Sequence, residues 1–388
     1  MKRIFLIILD SFGIGELPDA HLFGDEGSNT LRSVYSSEYL DLANMTRLGL
    51  YNIDGVEVGD KSQDLIASYA RMAEQSAGKD TTIGHWEIAG VISPKPLPTF
   101  SEGFPRELLD ELSVRTGRGI LCNKPYSGTE VIKDYGQEHI RTGELIVYTS
   151  ADSVLQIATH EDVVSIEELY EYCNIARDIC VGDWGVGRII ARPFEGEYPN
   201  FNRTSRRRDF SLEPPKITML DTLKDNDYSV IAIGKIKDIF AERGITSSIK
   251  TSNNEEGIER TIEYLEKDFE GICFVNLVDF DMLYGHRNDI DGYAKALTYF
   301  DNQLPRIIEK LKKDDVLMIA ADHGCDPGTQ STDHSREYIP LLVYGDNIKA
   351  GENLGTRSTF ADIGSFVLDY FDLNDKIDGE SFLDKISR

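Results

Sequence analysis

Three of the seven histidines stand in compact acidic settings. Asp281 precedes His286 in DFDMLYGH, Asp322 precedes His323 in ADHG, and His334 lies in TDHSRE. Asp10, which closes the apolar run IFLIILD, brings the set to three carboxylates and three imidazoles. Oxygen and nitrogen donors without thiolates suit Mn²⁺, Zn²⁺ or Mg²⁺, and six of them are enough for two ions. Two ions about 3.5–4 Å apart form a clamp for in-line displacement at phosphorus. A second unusual stretch is GKDTTIGHWE, Gly78 to Glu87, with adjacent threonines in a Gly-bounded loop. A threonine hydroxyl is a poor nucleophile unless a base or a metal assists it. Beside a metal ion it loses its proton more readily and can attack a phosphoryl group. A third is RTSRRRDF, Arg203 to Phe210, the densest basic cluster of the chain. Arginine forks match phosphate oxygens through paired hydrogen bonds. For Arg206 and Arg208 a solvated surface run remains the competing reading. The other histidines, His21, His139 and His160, have no such context, and no role follows for His85.

Short apolar runs that stop at a polar residue must position these groups. IFLIILD (4–10), SVIAIGK (229–235), GICFVNLVDFD (271–281), DVLMIAADHG (315–324) and IPLLVYGD (339–346) share that shape. Continuous aliphatic runs of this length fit strands buried on both faces, as in parallel sheets covered by helices. Between them, residues 253–271 and 291–315 carry apolar residues at helical spacing. Alternating strand and helix predicts an α/β fold with a central, mostly parallel sheet covered by helices. Ligands of such sheets sit beyond the carboxyl ends of the strands, where Asp10, Asp279 with Asp281, and Asp322 fall. From about Leu97 to Pro215 the texture changes, with more Gly, Pro and Arg. Hairpin-like GELIVYTSADS and VGRIIARPF flank the helical SIEELYEYCNIARDIC there, and SPKPLPTF and LEPPKIT bracket the block. The expected organisation is a core domain from residues 1–97 and 216–388, with a smaller α+β domain, 98–215, inserted into it.

The 388 residues carry 41 Lys plus Arg against 67 Asp plus Glu, a formal charge of −26. That field repels nucleic acid and anionic membrane, so neither is an expected partner, and an anionic substrate needs a local basic island. Five cysteines, odd in number and never spaced C-x-x-C, read as reduced thiols of a cytoplasmic protein. The apolar N-terminal run, Ile4 to Leu9, ends at Asp10 without a cleavage site, unlike a signal peptide. No other apolar segment approaches the roughly 18 residues that a membrane-spanning helix requires.

Taken together, LDSFGIGELPDA, GKDTTIGHWE, GTEVIKDYGQEHIRTGELIVYTSADSVLQIATHE, VGRIIARPF, AIGKI, NLVDFDMLYGHR, ADHG and TDHSREYIPLL resemble the phosphopentomutase family. That family belongs to the alkaline phosphatase superfamily, beside cofactor-independent phosphoglycerate mutase. The motifs run in family order from Asp10 to TRSTFADIG near the C-terminus. The resemblance implies an alkaline-phosphatase-like core with an inserted cap. It implies two Mn²⁺ ions per chain, one held by Asp281, His286 and His334, the other by Asp10, Asp322 and His323. The phosphorylated residue would be Thr81. Sugar-phosphate contacts would come from Ser150, Asp152, Val154, Arg188, Ile190, Arg203 and Arg207 of the cap, and from Lys235. The implied reaction interconverts α-D-ribose 1-phosphate and D-ribose 5-phosphate, and the 2-deoxyribose pair, through a 1,5-bisphosphate. Priming would come from a sugar bisphosphate, glucose 1,6-bisphosphate or ribose 1,5-bisphosphate. The pattern departs from the family at Cys325, where Asn is common, at Ile83, and between Pro327 and Thr332; none of these removes a ligand. A metal-dependent phosphatase or phosphodiesterase of the same superfamily is the alternative, distinguished by release of free phosphate. A phosphoglycerate mutase would carry serine at the nucleophile, a sulfatase Cys or Ser before x-Pro-x-Arg. A non-enzymatic acidic metal-binding protein would require all six donors to be incidental.

Overall fold

The computed structural model describes residues 1–150 and 152–388. The chain forms two compact units, Met1–Pro96 with Pro214–Arg388, and Leu97–Glu213. In chain order the strands are β1 (Arg3–Leu9), β2 (Ser68–Met72), β3 (Ile120–Pro125), β4 (Leu145–Thr149), β5 (Val154–His160), β6 (Arg188–Glu195) and β7 (Asn202–Arg203). They continue with β8 (Arg208–Ser211), β9 (Ser229–Ile233), β10 (Ser247–Ile249), β11 (Gly271–Leu277), β12 (Asp315–Ala320), β13 (Ile339–Tyr344) and β14 (Asn353–Arg357).

The larger unit is built on an eight-stranded sheet in the order β10-β9-β11-β1-β12-β13-β2-β14. Its central strands β1, β11 and β12 are buried at every position, which is why their sequences are unbroken apolar runs rather than alternations. Helices Asn254–Leu265 and Ile290–Glu309 turn Ile258, Ile262 and Leu265, and Tyr293, Leu297, Phe300 and Leu304, inward. Asn253 and Asp289 cap them by accepting from Glu256 N and Gly292 N. β9, β11, β1 and β12 are mutually parallel, with Val275 opposite Ile233, Leu9 opposite Leu277 and Ile8 opposite Ala320. Their carboxyl ends therefore lie along one edge. β13 pairs antiparallel with both β12 and β2. Burial on both faces produces the same apolar run in either direction, so IPLLVY did not reveal its own polarity. β2 was not legible either, because SYARM is short and mixed.

The opposite edge of the sheet is tied by a fully buried ion pair. Arg3 Nε donates to Asp315 Oδ1 at 2.8 Å, and its Nη1 reaches the carbonyls of Leu265 and Lys267 at 3.1 and 2.6 Å. Removing one partner strands a charge in the core, so Asp315→Ala is expected to lower stability by about 3–5 kcal/mol. In urea titration the midpoint should fall with an unchanged slope. An unaltered midpoint would mean that the pair contributes nothing.

The smaller unit holds a sheet in the order β3-β4-β5-β6-β7, with β8 also pairing β6. β4 and β5 are antiparallel, and so are β6 and β8. Leu155, Ile157, Ile189, Ala191 and Phe210 form one face, packed on Leu108, Leu112, Leu169 and Tyr172 of helices Arg106–Thr116 and Ile166–Ile179. Ile146, Tyr148, Ala158 and Phe194 form the other, under Val131 and Ile132 of helix Glu130–Thr142. No helix among the described residues is long and apolar enough to cross a membrane. All five cysteines are free, four of them buried.

Candidate active site and metal centre

Asp10 follows β1, Asp322 and His323 follow β12, and β11 runs on through Asp279 into a π-helical turn, Phe280–Tyr284. That turn separates two carboxylates that the sequence places together. Asp279 accepts from Asn254 N at 2.8 Å and so serves the start of a helix, while Asp281 turns toward the strand ends. His334 arrives from a distant loop. Backbone bonds between Gly324 and Ser335, 2.8 and 3.2 Å, fold TDHSRE back on ADHG, and the rings of His323 and His334 stack at 3.9 Å. Thr81 is the first residue of helix Thr81–Ile88, capped by Asp80 Oδ1 accepting from Ile83 N. This helix can approach β12 only because residue 84 is glycine, since a Cβ there would lie 2.1 Å from the Asp322 carbonyl oxygen. The Thr81 hydroxyl stands 3.0 Å from His323 Nε2.

The three imidazoles are oriented alike. Nδ1 of His286 lies 2.7 Å from Thr332 O, Nδ1 of His334 is 3.1 Å from Lys79 O, and Nδ1 of His323 is 3.0 Å from Gly324 O. A carbonyl only accepts, so each ring carries a proton on Nδ1 and aims Nε2 into the cluster. Nε2 of His286 and Nε2 of His334 face one another at 3.2 Å. Between them Asp281 places Oδ2 at 3.2 Å from His286 and Oδ1 at 3.3 Å from His334. His323 Nε2 is 3.4 Å from Asp10 Oδ1 and 3.3 Å from Asp322 Oδ2. Donor atoms of Asp281, His286 and His334 lie within 4.8 Å of one another, as do those of Asp10, Asp281 and His323, which makes Asp281 common to both groups.

Electrostatics say what this cluster lacks. Burial, then the charges of Asp322 and Asp281, push the Asp10 carboxyl up to about 7. Burial alone would raise Asp281 and Asp322 too, but their histidines override it and hold both well below the usual range. In return the hydrogen bond that His286 donates to Asp281 raises the imidazole to about 9, so a proton occupies the space between lone pairs. Asp10 Oδ1, Asp281 Oδ1 and Asp322 Oδ2 are buried without a hydrogen-bond donor among the described residues. Unsatisfied buried carboxylate oxygens are costly, and a divalent cation satisfies oxygen and nitrogen lone pairs together. The residues present fit a metal centre with hard to borderline donors.

Several supporting groups escaped the sequence reading. Asn276 Nδ2 donates to Asp10 Oδ2 at 2.8 Å, and its one visible signal was a lone amide inside an apolar strand. Ser11 N donates to Asp322 Oδ1 at 3.1 Å from a backbone with φ +70°, which no local pattern announces. Buried Arg336 donates to Glu74 Oε2 and Gly78 O, both at 2.6 Å, and so ties the loop that precedes Thr81. Cys325 packs its sulfur against Gly285 and 3.5 Å from Asp333 O. Burial pushes its thiol up, so it stays protonated and lies outside both donor groups.

In the smaller unit Val154 pairs with Arg188, and Ile190 with Gln156 and Asp209. Strand alternation puts Val154, Arg188 and Ile190 on the face that also carries Gln156 and Arg192. Val154 and Ile190 are buried there. Ser150 is half-buried at the end of β4 and Asp152 is exposed. A cavity of about 280 Å³ is lined by Arg192, Pro193, Arg203, Thr204 and Arg207. Arg207 holds Asp209 through two 2.8 Å bonds, and Arg188 lies 3.6 Å from the same carboxylate. Arg192 Nε donates to Gln156 at 3.0 Å, and the buried Tyr148 hydroxyl has no hydrogen-bond partner among the described residues. Arg192 went unread although it sits four residues from Arg188 on the same strand face. Arg206 pairs with Glu161, and Arg208 lies over the rings of Tyr170 and Phe210, so these two serve packing. Lys235 belongs to the larger unit, exposed just beyond β9.

The profile of the Metalloenzyme superfamily matches residues 2–375. A phosphopentomutase of Lachnoclostridium phytofermentans is 65% identical over 386 residues, 99% of each chain. One of Acetivibrio thermocellus is 56% identical over 387 residues, the full length of both. Among solved structures, Leishmania mexicana phosphoglycerate mutase aligns over 98% of this chain and 97% of its own, with 11% identity and a TM-score of 0.49. Near-complete coverage at 65% and 56% identity to phosphopentomutases, over a chain whose metal-donor cluster adjoins a threonine hydroxyl, has a direct consequence: this chain belongs to the phosphopentomutase family of the Metalloenzyme superfamily.

Proposed function

We infer that this chain interconverts α-D-ribose 1-phosphate and D-ribose 5-phosphate, and the 2-deoxyribose pair, with Thr81 as the phosphoryl carrier. The observation that carries the reading is the Thr81 hydroxyl, 3.0 Å from His323 Nε2 and so against the donor cluster. Asp281, His286 and His334 would hold one ion, and Asp10, Asp322 and His323 the other, with Asp281 near enough to serve both. Two Mn²⁺ ions fit this donor set and would supply the positive charge that favours a Thr81 alkoxide and a transferring phosphoryl group.

The remaining work falls to side chains. Phosphorylated Thr81 would give its phosphoryl group to the sugar's free hydroxyl; the bond from phosphorus to the Thr81 oxygen breaks as the bond to the sugar oxygen forms, and the hydroxyl's proton passes, in net, to the departing Thr81 oxygen. The product bisphosphate returns its other phosphoryl group to Thr81. Glucose 1,6-bisphosphate or ribose 1,5-bisphosphate would load Thr81 at the outset. Arg188 and Arg207 engage Asp209, while Arg192 and Arg203 line the same cavity as Arg207 with no ion pair among the described residues, an excess of positive charge in a chain of −26. That excess supports the Leu97–Glu213 unit as the substrate cap, with Ser150, Asp152, Val154 and Ile190 contacting the sugar phosphate. Lys235 would add charge from the core unit. A cap also has to keep water from phosphorylated Thr81, a requirement that a phosphatase lacks. Five free cysteines support a reducing, cytoplasmic setting.

The test follows both products at once. With Mn²⁺ and catalytic glucose 1,6-bisphosphate, ribose 1-phosphate should become ribose 5-phosphate with little free phosphate. Stoichiometric phosphate release would replace this reading with that of a phosphatase.

A further inference from the structure

His85 is fully buried one turn after Thr81 on the same helix, in direct contact with the site and without a role in the chemistry described above. Its Nδ1 lies 2.8 Å from the Thr81 carbonyl and 3.1 Å from Asp322 Oδ2. The first contact is a hydrogen bond; the second is close but leaves Asp322 Oδ2 without an aligned donor. Since a carbonyl only accepts, Nδ1 carries the proton. Nε2 is then a bare lone pair, buried and unpartnered, on a ring packed 5.9 Å from that of Phe274. An orphaned polar atom is a net loss, about 1–3 kcal/mol on typical scales. Phenylalanine or leucine would fill the same volume without it. Packing alone therefore favours an apolar residue here, and only Nδ1 accounts for an imidazole.

We propose that His85 is a positioning residue whose Nδ1–H sets the first turn of the Thr81 helix against Asp322. The Asp322 carboxylate is steadied on its other oxygen by Ser11 N. Gly84 brings the helix backbone into contact with residue 322, and Thr81 meets His323. His85 is the side chain that touches both the nucleophile's own peptide and the carboxylate at the end of β12. Without Nδ1 the Thr81 carbonyl loses a buried donor and Asp322 a neighbour that limits its rotation. The hydroxyl and the ion-binding carboxylate would then lose their mutual register. This inference rests on Thr81 as phosphoryl carrier.

Three variants separate Nδ1 from the ring. His85→Phe keeps the ring and removes both nitrogens, His85→Asn restores a donor near Nδ1, and His85→Gln extends its amide toward the Nε2 side. Each is checked for native circular dichroism, for Mn²⁺ affinity by titration calorimetry, and for kcat and KM separately. In His85→Phe, Mn²⁺ affinity and kcat should each fall about 10–100-fold, the usual cost of losing a ligand's supporting partner. KM for ribose 1-phosphate should stay within about twofold, because no substrate contact is lost. His85→Gln should match Phe, and His85→Asn should recover most of both losses. Wild-type Mn²⁺ affinity and kcat in His85→Phe would overturn the proposal, as would an Asn variant no better than Gln. If the Phe variant does not fold, the contrast between Asn and Gln decides. The underlying reading fails separately: the unaltered chain would then take up no phosphoryl group on Thr81 from glucose 1,6-bisphosphate.

Discussion

Thr81→Ala is expected to convert ribose 1-phosphate about 10⁴-fold more slowly than the unaltered chain, or worse, while folding normally. Removing a nucleophile that acts as one unit with its activating groups has effects of that order. It corresponds to about 5 kcal/mol of lost transition-state stabilisation. Folding should survive because the hydroxyl's one side-chain contact is His323, while the helix start is held by Asp80. Thr82 supplies the control. It is equally half-buried, but its hydroxyl makes no hydrogen bond among the described residues. Thr82→Ala should therefore keep most of the activity, and mass spectrometry of protein treated with glucose 1,6-bisphosphate should find the added phosphoryl group on residue 81. Phosphorylation at Thr82, or an active Thr81→Ala protein, would remove the basis of the mechanism.

The second large effect is expected at Asp281. Its two oxygens serve His286 and His334, and it also lies within reach of Asp10 and His323. Asp281→Asn keeps the shape and deletes the charge common to both donor groups. Mn²⁺ bound per chain, measured by elemental analysis, should drop below two, and activity should fall at least about 10³-fold, as for loss of a principal transition-state stabiliser. Two ions bound with unchanged affinity would show that Asp281 is not shared. The pH dependence of binding follows from the same geometry. In the ion-free arrangement His286 keeps its extra proton up to about 9, because Asp281 favours the charged ring. Below that pH an entering ion must expel the proton. Apparent affinity should thus rise with pH, about tenfold per unit for each proton displaced, and more steeply below about 7, where Asp10 also holds a proton. Proton release on Mn²⁺ addition, read in buffers of different ionisation enthalpy, checks the sign.

Residue chemistry is local, and this was what the sequence made legible. Asp10, Asp281, His286, Asp322, His323 and His334 could be picked out by donor type, by compact acidic settings and, for the carboxylates, by position after apolar runs. The Thr81–Thr82 pair stood out in a stretch too polar to be a mere connection, with the choice of Thr81 implied only by the family resemblance, and the Arg203–Phe210 cluster contrasted with the charge around it. The central strands were readable for a related reason: burial on both faces leaves no polar position in β1 or β12. The same saturation erased direction, and β13 turned out antiparallel.

Three-dimensional packing decided everything that depends on pairs distant in the chain. Asp279 and Asp281 are two residues apart and alike on paper, yet a π-helical turn sends one to a helix start and the other to the ligand cluster. The inward aim of each Nε2 is imposed by carbonyls of Thr332, Lys79 and Gly324. Arg192 and Arg188 act on one face only because β6 is a strand, and Arg206 and Arg208 leave the cluster because Glu161 and two aromatic rings engage them. His85 gained a meaning only when Asp322 came to rest beside it. The contact between Thr81 and His323 spans 242 positions. Composition and periodicity describe neighbours along the chain, whereas a metal-donor cluster is a set of distances between strand ends, and those distances exist only once the sheet has formed.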